Sequence, residues 1–317
     1  QLNMSVTNNI NIKNPKDFGR VLVIYGGDSN EREISLKSGD AVISALISKN
    51  IDAFGWDPKI DPINKIMEKK FDRAWIALHG QGGEDGSIQG LLEFIGIPYT
   101  GSDILSSAVA MNKLLSKRIF IDNGISVPKY KDITTKNDLN QARNDLGFPL
   151  ILKPVSEGSS LGMTRVSSSI ELGKAFDYAK SFNDTVLAEE CILGEEITVS
   201  ILQNKSLPSI RIKTPRIFYD FKAKYKSEDT NYICPGADNI KLEKEYSELA
   251  LRAFEALGCS GWGRVDFMHQ ENDCPKILEV NTVPGMTEKS LVPMSALESG
   301  LDFPDLCWKI LETSIEA

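Results

Sequence analysis

Histidine is scarce in this chain: only His79 and His269 occur among 317 residues, so Ser-His-Asp and Cys-His nucleophilic schemes are poorly supplied. The five cysteines, at 191, 234, 259, 274 and 307, are odd in number and never spaced as CxxC. That disfavours a disulfide framework and a zinc site, and suits a reducing compartment. A basic stripe is also missing. Lys+Arg number 36 against 44 Asp+Glu, a formal charge of −8, which argues against nucleic-acid partners while local cations can still hold a small anion. No apolar run approaches the length of a membrane span, and residues 1–17, rich in Asn, lack the apolar core of a signal peptide. They are read as a flexible extension of a cytoplasmic protein that has no membrane partner. Internal repeats and low-complexity segments are absent as well.

What is present is an ordinary globular composition, 41% hydrophobic, in a chain long enough for two or three domains. The apolar run Val21–Tyr25, then Gly26-Gly27, then a helical stretch near Leu36 to Leu46, is the strand, glycine turn and helix of an α/β opening. Ala74 to Leu78 predicts a second strand leading into the glycine-rich loop from His79, and Ile97 to Thr100 a third short one. Ligands of open α/β sheets bind at strand C-terminal ends, which puts Glu31 and His79 at one crevice. Ser102 or Asp103 caps a single expected helix running through Met111 and Lys113 to about Asp122. Strands at 149–154, 163–166 and 185–190, with a helix at 170–180, make a small α+β unit. The expected organisation is a parallel α/β domain over 18–111, a central α+β domain over 112–196 and a larger α+β domain over 197–317.

The chemistry concentrates in two strand-like runs within 261–282. Arg264 and Asp266 share one face of the first, Glu279 and Asn281 one face of the second. If the runs pair as a hairpin about Asn272 and Asp273, Asp266 opposes Glu279 and Arg264 opposes Asn281. Opposed side chains lie about 5 Å apart at Cβ, so two bare carboxylates there would repel without a cation between them. Two carboxylates and an amide oxygen form an oxygen-only set suited to Mg²⁺ completed by substrate phosphates. A plain alternating strand with one solvated face is the competing reading. Glu157 to Gly162 has the composition of an anion-cradling loop, or of an ordinary hairpin turn; Lys153 just upstream, with Lys113, tips it toward phosphate. Glu189, Ile192 and Glu196 fall where a crossover would meet a base and a ribose, although such acidic clusters are often merely solvated. Residues 213–236 hold Tyr219, Lys222, Lys224, Tyr225 and Tyr232 without a clean period, a closing lid or a floppy insertion.

Taken together these segments resemble the bacterial D-alanine–D-alanine ligase family of the ATP-grasp superfamily. The resemblance runs from about Val21 to the end and rests on Glu31-Arg32-Glu33, His79-Gly80 through Gln89-Gly90, Glu157-Gly158-Ser159-Ser160, Phe218 to Tyr225, Gly261 to Asp266 and Glu279 to Met286. It implies the ATP-grasp fold and ATP-dependent ligation of two D-alanine molecules through an acyl phosphate, releasing ADP and phosphate, for peptidoglycan precursor synthesis. By resemblance, Lys113 and Lys153 contact ATP phosphates, Glu189 and Ile192 the adenine, and Glu196 the ribose. Asp266, Glu279 and Asn281 hold two Mg²⁺ ions, for which Mn²⁺ substitutes. Glu31 receives the ammonium of the first D-alanine, with His79 nearby, and joins Ser159 and Tyr225 in a triad that shuts the lid. Arg264 and the Gly285 amide form the oxyanion site; Lys224 is a substrate contact, and Ser290 and Leu291 hold the second carboxylate. The family commonly forms homodimers.

Glu190, where relatives often carry a basic residue, and Val280 and Val283, flanking the metal strand, depart from common family forms. Three alternatives stay open. A D-alanine–D-lactate ligase is disfavoured by Tyr225, another ATP-grasp ligase by Glu31 and Ser290. A nucleotide-binding module without turnover is disfavoured by the full set of metal carboxylates and Arg264.

Overall fold

The computed structural model describes residues 12–182, 185–214 and 230–315. Among these the chain forms three sheets. The first is parallel, in the order β2-β1-β3, from β1 (Arg20–Ile24), β2 (Asp52–Trp56) and β3 (Arg73–Ile76). Its helices are α1 (Arg32–Ser48), α2 (Asn64–Lys69) and α3 (Ser87–Ile95). β1 reads as a continuous apolar run because helices cover both faces of such a sheet, and Val21 to Ile24 are buried. The segment Ile97 to Thr100 is not a strand; a lone parallel bridge links Tyr99 to Ala74, since Pro98 has no N–H to continue a ladder.

The long helix expected over 102–122 is two helices, α4 (Ile104–Met111) and α5 (Lys113–Asp122). Asp103 caps α4 through Ser106 N. Asn112 takes an extended backbone, φ −90° and ψ 98°, and its Oδ1 accepts from Leu114 N and Leu115 N, so it ends one helix and caps the next. The Lys113 N–H instead donates to Val155 O, which ties the start of α5 to the glycine loop.

The second sheet is antiparallel, ordered β4-β7-β5-β6, from β4 (Tyr130–Ile133), β5 (Leu150–Pro154), β6 (Thr164–Val166) and β7 (Val186–Glu190). α6 (Asp138–Leu146) and α7 (Ser169–Lys180) cover it through Leu139, Ala142, Leu172, Ala175 and Phe176. The third sheet is antiparallel, ordered β11-β10-β8-β12-β13. It holds β8 (Glu195–Leu202), β9 (Lys205–Ser206), which pairs β8 at the side, β10 (Ile210–Lys213), β11 (Asn231–Ile233), β12 (Trp262–His269) and β13 (Lys276–Asn281). α8 (Ile240–Ala256) lays Tyr246, Ala250, Ala253 and Phe254 against it.

The last helices, α9 (Leu291–Glu298) and α10 (Phe303–Glu312), leave this sheet and complete the first core, where Leu306, Cys307, Ile310 and Leu311 join Val21 to Ile24 and Trp75. Trp75 meets Trp262 with ring centroids 5.4 Å apart, which couples the parallel sheet to β12. The end of the expected N-terminal extension is held too: Pro15–Phe18 form a 3-10 turn capped by Asn14, and Phe18 is buried against Trp308.

Candidate active site

The hairpin of β12 and β13 has the register that the alternation predicts: Arg264 opposes Asn281 and Asp266 opposes Glu279. A bulge follows at Leu278, so that Phe267 pairs with Ile277. The carboxylates do not confront each other bare. Arg264 Nε and Nη2 donate to Asp266 at 2.8 and 2.6 Å, Asn281 Nδ2 donates to Asp266 Oδ2 at 3.0 Å, and Thr198 Oγ1 adds a bond from β8 at 2.6 Å. Glu279 Oε2 lies 3.0 Å from Lys113 Nζ, which also donates to Glu157 O at 2.7 Å. The repulsion expected between the two carboxylates is thus relieved by Arg264 and Lys113. Burial works against the Lys113 charge, but Glu279, with Glu189 and Glu84, outweighs it and holds the ammonium above its usual range.

No group of three His, Cys, Asp or Glu side chains gathers as a metal site among the described residues. The donor set still fits a hard cation. Asp266 and Glu279 border the same cavity, Asn281 is the next alternate residue on β13, all three offer oxygen, and a phosphate arriving beside Lys113 would draw that lysine from Glu279.

Two cavities flank the hairpin. The first, of about 420 Å³, lies between the second and third sheets and is lined by Lys113, Lys153, Glu189, Ile192, Glu196 and Glu279. At its floor Glu189 is buried with a lysine on each oxygen: Lys117 Nζ at 2.6 Å on Oε1 and Lys153 Nζ at 2.7 Å on Oε2. Burial would raise the Glu189 pKa; Lys117 and Lys153 overcome it and hold the carboxyl below its usual range. Lys117 moves the other way, because full burial and the neighbouring Lys153 outweigh Glu189 and lower it. Glu190, the departure noted in the sequence, pairs with Lys276 of β13 at 3.1 Å.

The second cavity, of about 540 Å³, is lined by Glu31, His79, Glu84, Ser159, Arg264, Asn281, Gly285, Ser290 and Leu291. Gly158 lines both, so the spaces adjoin at the glycine loop. A Cβ on Gly158 would sit 2.5 Å from Glu31 Oε2, so glycine lets the loop approach that carboxylate where it stands. Ser159, at φ 49°, then donates its hydroxyl to Glu31 Oε1. His79 Nδ1 lies 2.8 Å from Val283 O and must donate to it, which leaves Nε2 to accept from Ser38 Oγ at 2.9 Å. Burial lowers the His79 pKa, and with both nitrogens engaged the ring is a neutral, fixed wall of the cavity. Glu84 Oε2 accepts from Gly80 N at 2.6 Å and Oε1 from Val283 N at 3.3 Å. Burial, with Glu31 nearby, pushes its pKa up to about 8. Ser290 precedes the first turn of α9, where free N–H groups and the helix dipole favour a carboxylate.

Of the site residues expected from sequence, fifteen line one or both cavities; Lys224 and Tyr225 lie outside the described residues. Sequence reasoning missed Lys117, Ser38 and Thr198. Lys117 had a usable signal, four residues after Lys113 and therefore on the same helix face. Ser38 and Thr198 had none, because each meets its partner only through tertiary packing.

Comparison with known proteins identifies a family. The model described as "D-ala D-ala ligase C-terminus" matches residues 119–312, and that described as "D-ala D-ala ligase N-terminus" matches residues 56–102. The chain is 50% identical over 303 residues to the D-alanine–D-alanine ligase of Pseudomonas fluorescens, covering 96% of this chain and 94% of that one. It is 46% identical over 307 residues to the one of Polynucleobacter asymbioticus, covering 95% and 91%. Among solved structures, D-alanine–D-alanine ligase from Bacillus anthracis complexed with ATP superposes with a TM-score of 0.81 at 36% identity, covering 94% of this chain and 97% of the other. The VanG D-Ala:D-Ser ligase of Enterococcus faecalis does so with a TM-score of 0.80 at 30% identity, covering 93% and 99%.

Proposed function

The chain belongs to the D-alanine–D-alanine ligase family, and from that premise we propose that it joins two D-alanine molecules at the expense of ATP for peptidoglycan precursor synthesis. The observation that carries the reading is that two cavities adjoin at one seam, formed by Gly158 and the β12–β13 hairpin: one presents Lys113 and Lys153 beside Asp266 and Glu279, the other Glu31, Ser159, Arg264 and Ser290.

In this reading ATP lies in the first cavity, its base near Glu189 and Ile192, its ribose at Glu196 and its phosphates at Lys113 and Lys153. Asp266, Glu279 and Asn281 would hold Mg²⁺, two ions by family resemblance with Mn²⁺ able to substitute, and the metal charge would offset that of the phosphates. Glu31 takes the ammonium of the first D-alanine beside His79, with Ser159 fixing the Glu31 carboxylate. A carboxylate is a poor electrophile. The first D-alanine carboxylate therefore attacks the γ-phosphorus, an O–P bond forms, ADP departs, and the product is an acyl phosphate. The second D-alanine, its carboxylate at Ser290 and Leu291, attacks the acyl carbon with its amine. Arg264 and the Gly285 N–H stabilise the tetrahedral oxyanion, the amine gives up a proton, and phosphate leaves as the amide forms. Water must be kept out meanwhile or the acyl phosphate hydrolyses; Lys224 and Tyr225, which the resemblance adds as substrate and triad residues, lie outside the described residues.

We place the enzyme in the cytoplasm as a homodimer; no helix among the described residues is long and apolar enough to cross a membrane. Incubation with ATP, Mg²⁺ and a panel of D-alanine, D-serine, D-lactate and L-alanine, read by coupled ADP release and mass analysis of products, tests the proposal. D-alanyl-D-alanine with stoichiometric ADP is expected; ATP binding without D-alanine-dependent ADP would make the chain a nucleotide-binding module instead.

A further inference from the structure

We propose that Lys117, buried beneath the first cavity, is a positioning residue that acts through Glu189 to present the full charge of Lys153 to the phosphates of ATP. The inference rests on the ATP reading above. α5 carries Lys113 and Lys117 one turn apart; Lys113 lines the cavity, whereas Lys117 does not and has 0% of its surface exposed. Glu189 of β7 bridges Lys117 and Lys153, with side-chain exposures of 0% for Lys117, 3% for Glu189 and 10% for Lys153. Two ammonium groups and one carboxylate leave the trio with a single net positive charge. Lys153 is the member of the pair of lysines that borders the cavity, so the charge is delivered there.

Without Lys117, Glu189 and Lys153 would be a neutral pair, and the attraction Lys153 offers an incoming phosphate would be offset by the carboxylate beside it. Packing does not explain Lys117. Its Nζ lies 5.8 Å from the centre of the Tyr130 ring, and a buried ammonium costs more there than a methionine filling the same slot. The charge itself is therefore the reason for a lysine. Sequestering it below Glu189 balances the carboxylate from the side that no ligand reaches.

The test compares the whole protein with Lys117→Met, Lys117→Gln and Lys117→Arg by calorimetric titration with ATP and with adenosine, and by steady-state kinetics. Lys117→Met should raise the Kd and KM for ATP about tenfold, the loss of roughly one unit charge of attraction, while kcat at saturating ATP and KM for D-alanine change less than about twofold. Lys117→Arg should stay within about threefold of wild type. Adenosine affinity should stay within about threefold of wild type in Lys117→Met, because adenosine carries no phosphate for Lys153 to attract, whereas loss of a mere structural pin between α5 and β7 would weaken both titrations. An unchanged ATP Kd in folded Lys117→Met, or an equal loss of affinity for adenosine, overturns the proposal. If Lys117→Met does not fold, Lys117→Gln decides: ATP binding weakened about tenfold, of order 1.4 kcal/mol, with adenosine binding unchanged supports the charge role, and unchanged ATP affinity refutes it. Failure of the ATP reading looks different, because wild type itself would then give no ATP titration.

Discussion

Glu279 pairs with Lys113 in the resting site and is assigned to the metal once ATP arrives, so its charge matters more to turnover than to folding. Glu279→Gln keeps the shape and loses the charge. Its thermal unfolding should stay within a few degrees of wild type by circular dichroism, and kcat should fall on the order of a hundredfold or more in the ADP-release assay; unaltered kinetics would refute the assignment. Glu84 supports a prediction of another kind. Its folded pKa, up to about 8, lies above the 4.5 of an ordinary Glu, chiefly through burial and then Glu31, against two backbone N–H bonds that pull it down. A group raised in this way contributes stability that is fully present below 4.5 and is lost as pH rises through about 8. Urea unfolding of wild type should therefore weaken across that interval, and Glu84→Gln should flatten the slope; parallel slopes would show that Glu84 is not the titrating group. The His79 motif was legible as a stretch, and Glu84 stands within it. Its burial against Val283 was not, because that contact joins residues 199 positions apart.

At the scale of elements, the hairpin was legible in register because polar residues alternate on both strands and a slip by one residue would turn Asp266 and Glu279 to opposite faces. The bulge at Leu278 was not, since an extra apolar residue leaves the pattern of an apolar run unchanged. The break between α4 and α5 was missed for a similar reason: helix-forming residues continue on both sides, and nothing local distinguishes Asn112 as a cap from Asn112 as an exposed helical residue. Asn112→Ala tests the consequence. It removes the acceptor for Leu114 N and Leu115 N and should cost about 1 kcal/mol of stability, read as a lower urea midpoint. It also frees the first turn of α5, so KM for ATP should rise, because Lys113 occupies that turn. The glycine loop gives the sharper case. Gly158→Ala drives a methyl group into Glu31 Oε2, with 2.5 Å available, so the carboxylate or the loop must shift, which disturbs the Ser159–Glu31 bond. We expect kcat/KM for D-alanine to fall by about tenfold or more with a stability change of only about 1–3 kcal/mol; wild-type kinetics would mean that the approach of loop to carboxylate is dispensable.

Over the whole molecule, α10 was read only as part of the α+β domain over 197–317, and its docking place was not legible, because periodicity says what a helix buries and not against which body. It docks on the parallel sheet formed by the other end of the chain. Leu306, Cys307, Ile310 and Leu311 are wholly buried there, and Lys49 of the loop after α1 forms an ion pair with Asp305. Glu312 ties the arrangement across sequence: it accepts from Ile12 N at 3.3 Å, Gln203 Nε2 at 2.8 Å and Trp308 Nε1 at 3.0 Å. A helix that completes the core of β1 and β3 must unfold with them. Ile310→Ala, which leaves a cavity at a site with 0% exposure, should cost about 2–5 kcal/mol. By native-state hydrogen exchange the protection of β1 and β3 amides should fall together with that of α10, because removing contacts shared by two elements lowers the opening energy of both. If β1 and β3 keep their protection while α10 alone loses it, the helix is a separable clamp over a sheet that stands without it. The Trp75–Trp262 contact would then carry the coupling between the first sheet and the catalytic hairpin, and Trp262→Ala, not Ile310→Ala, would be the substitution that loosens Arg264 and Asp266.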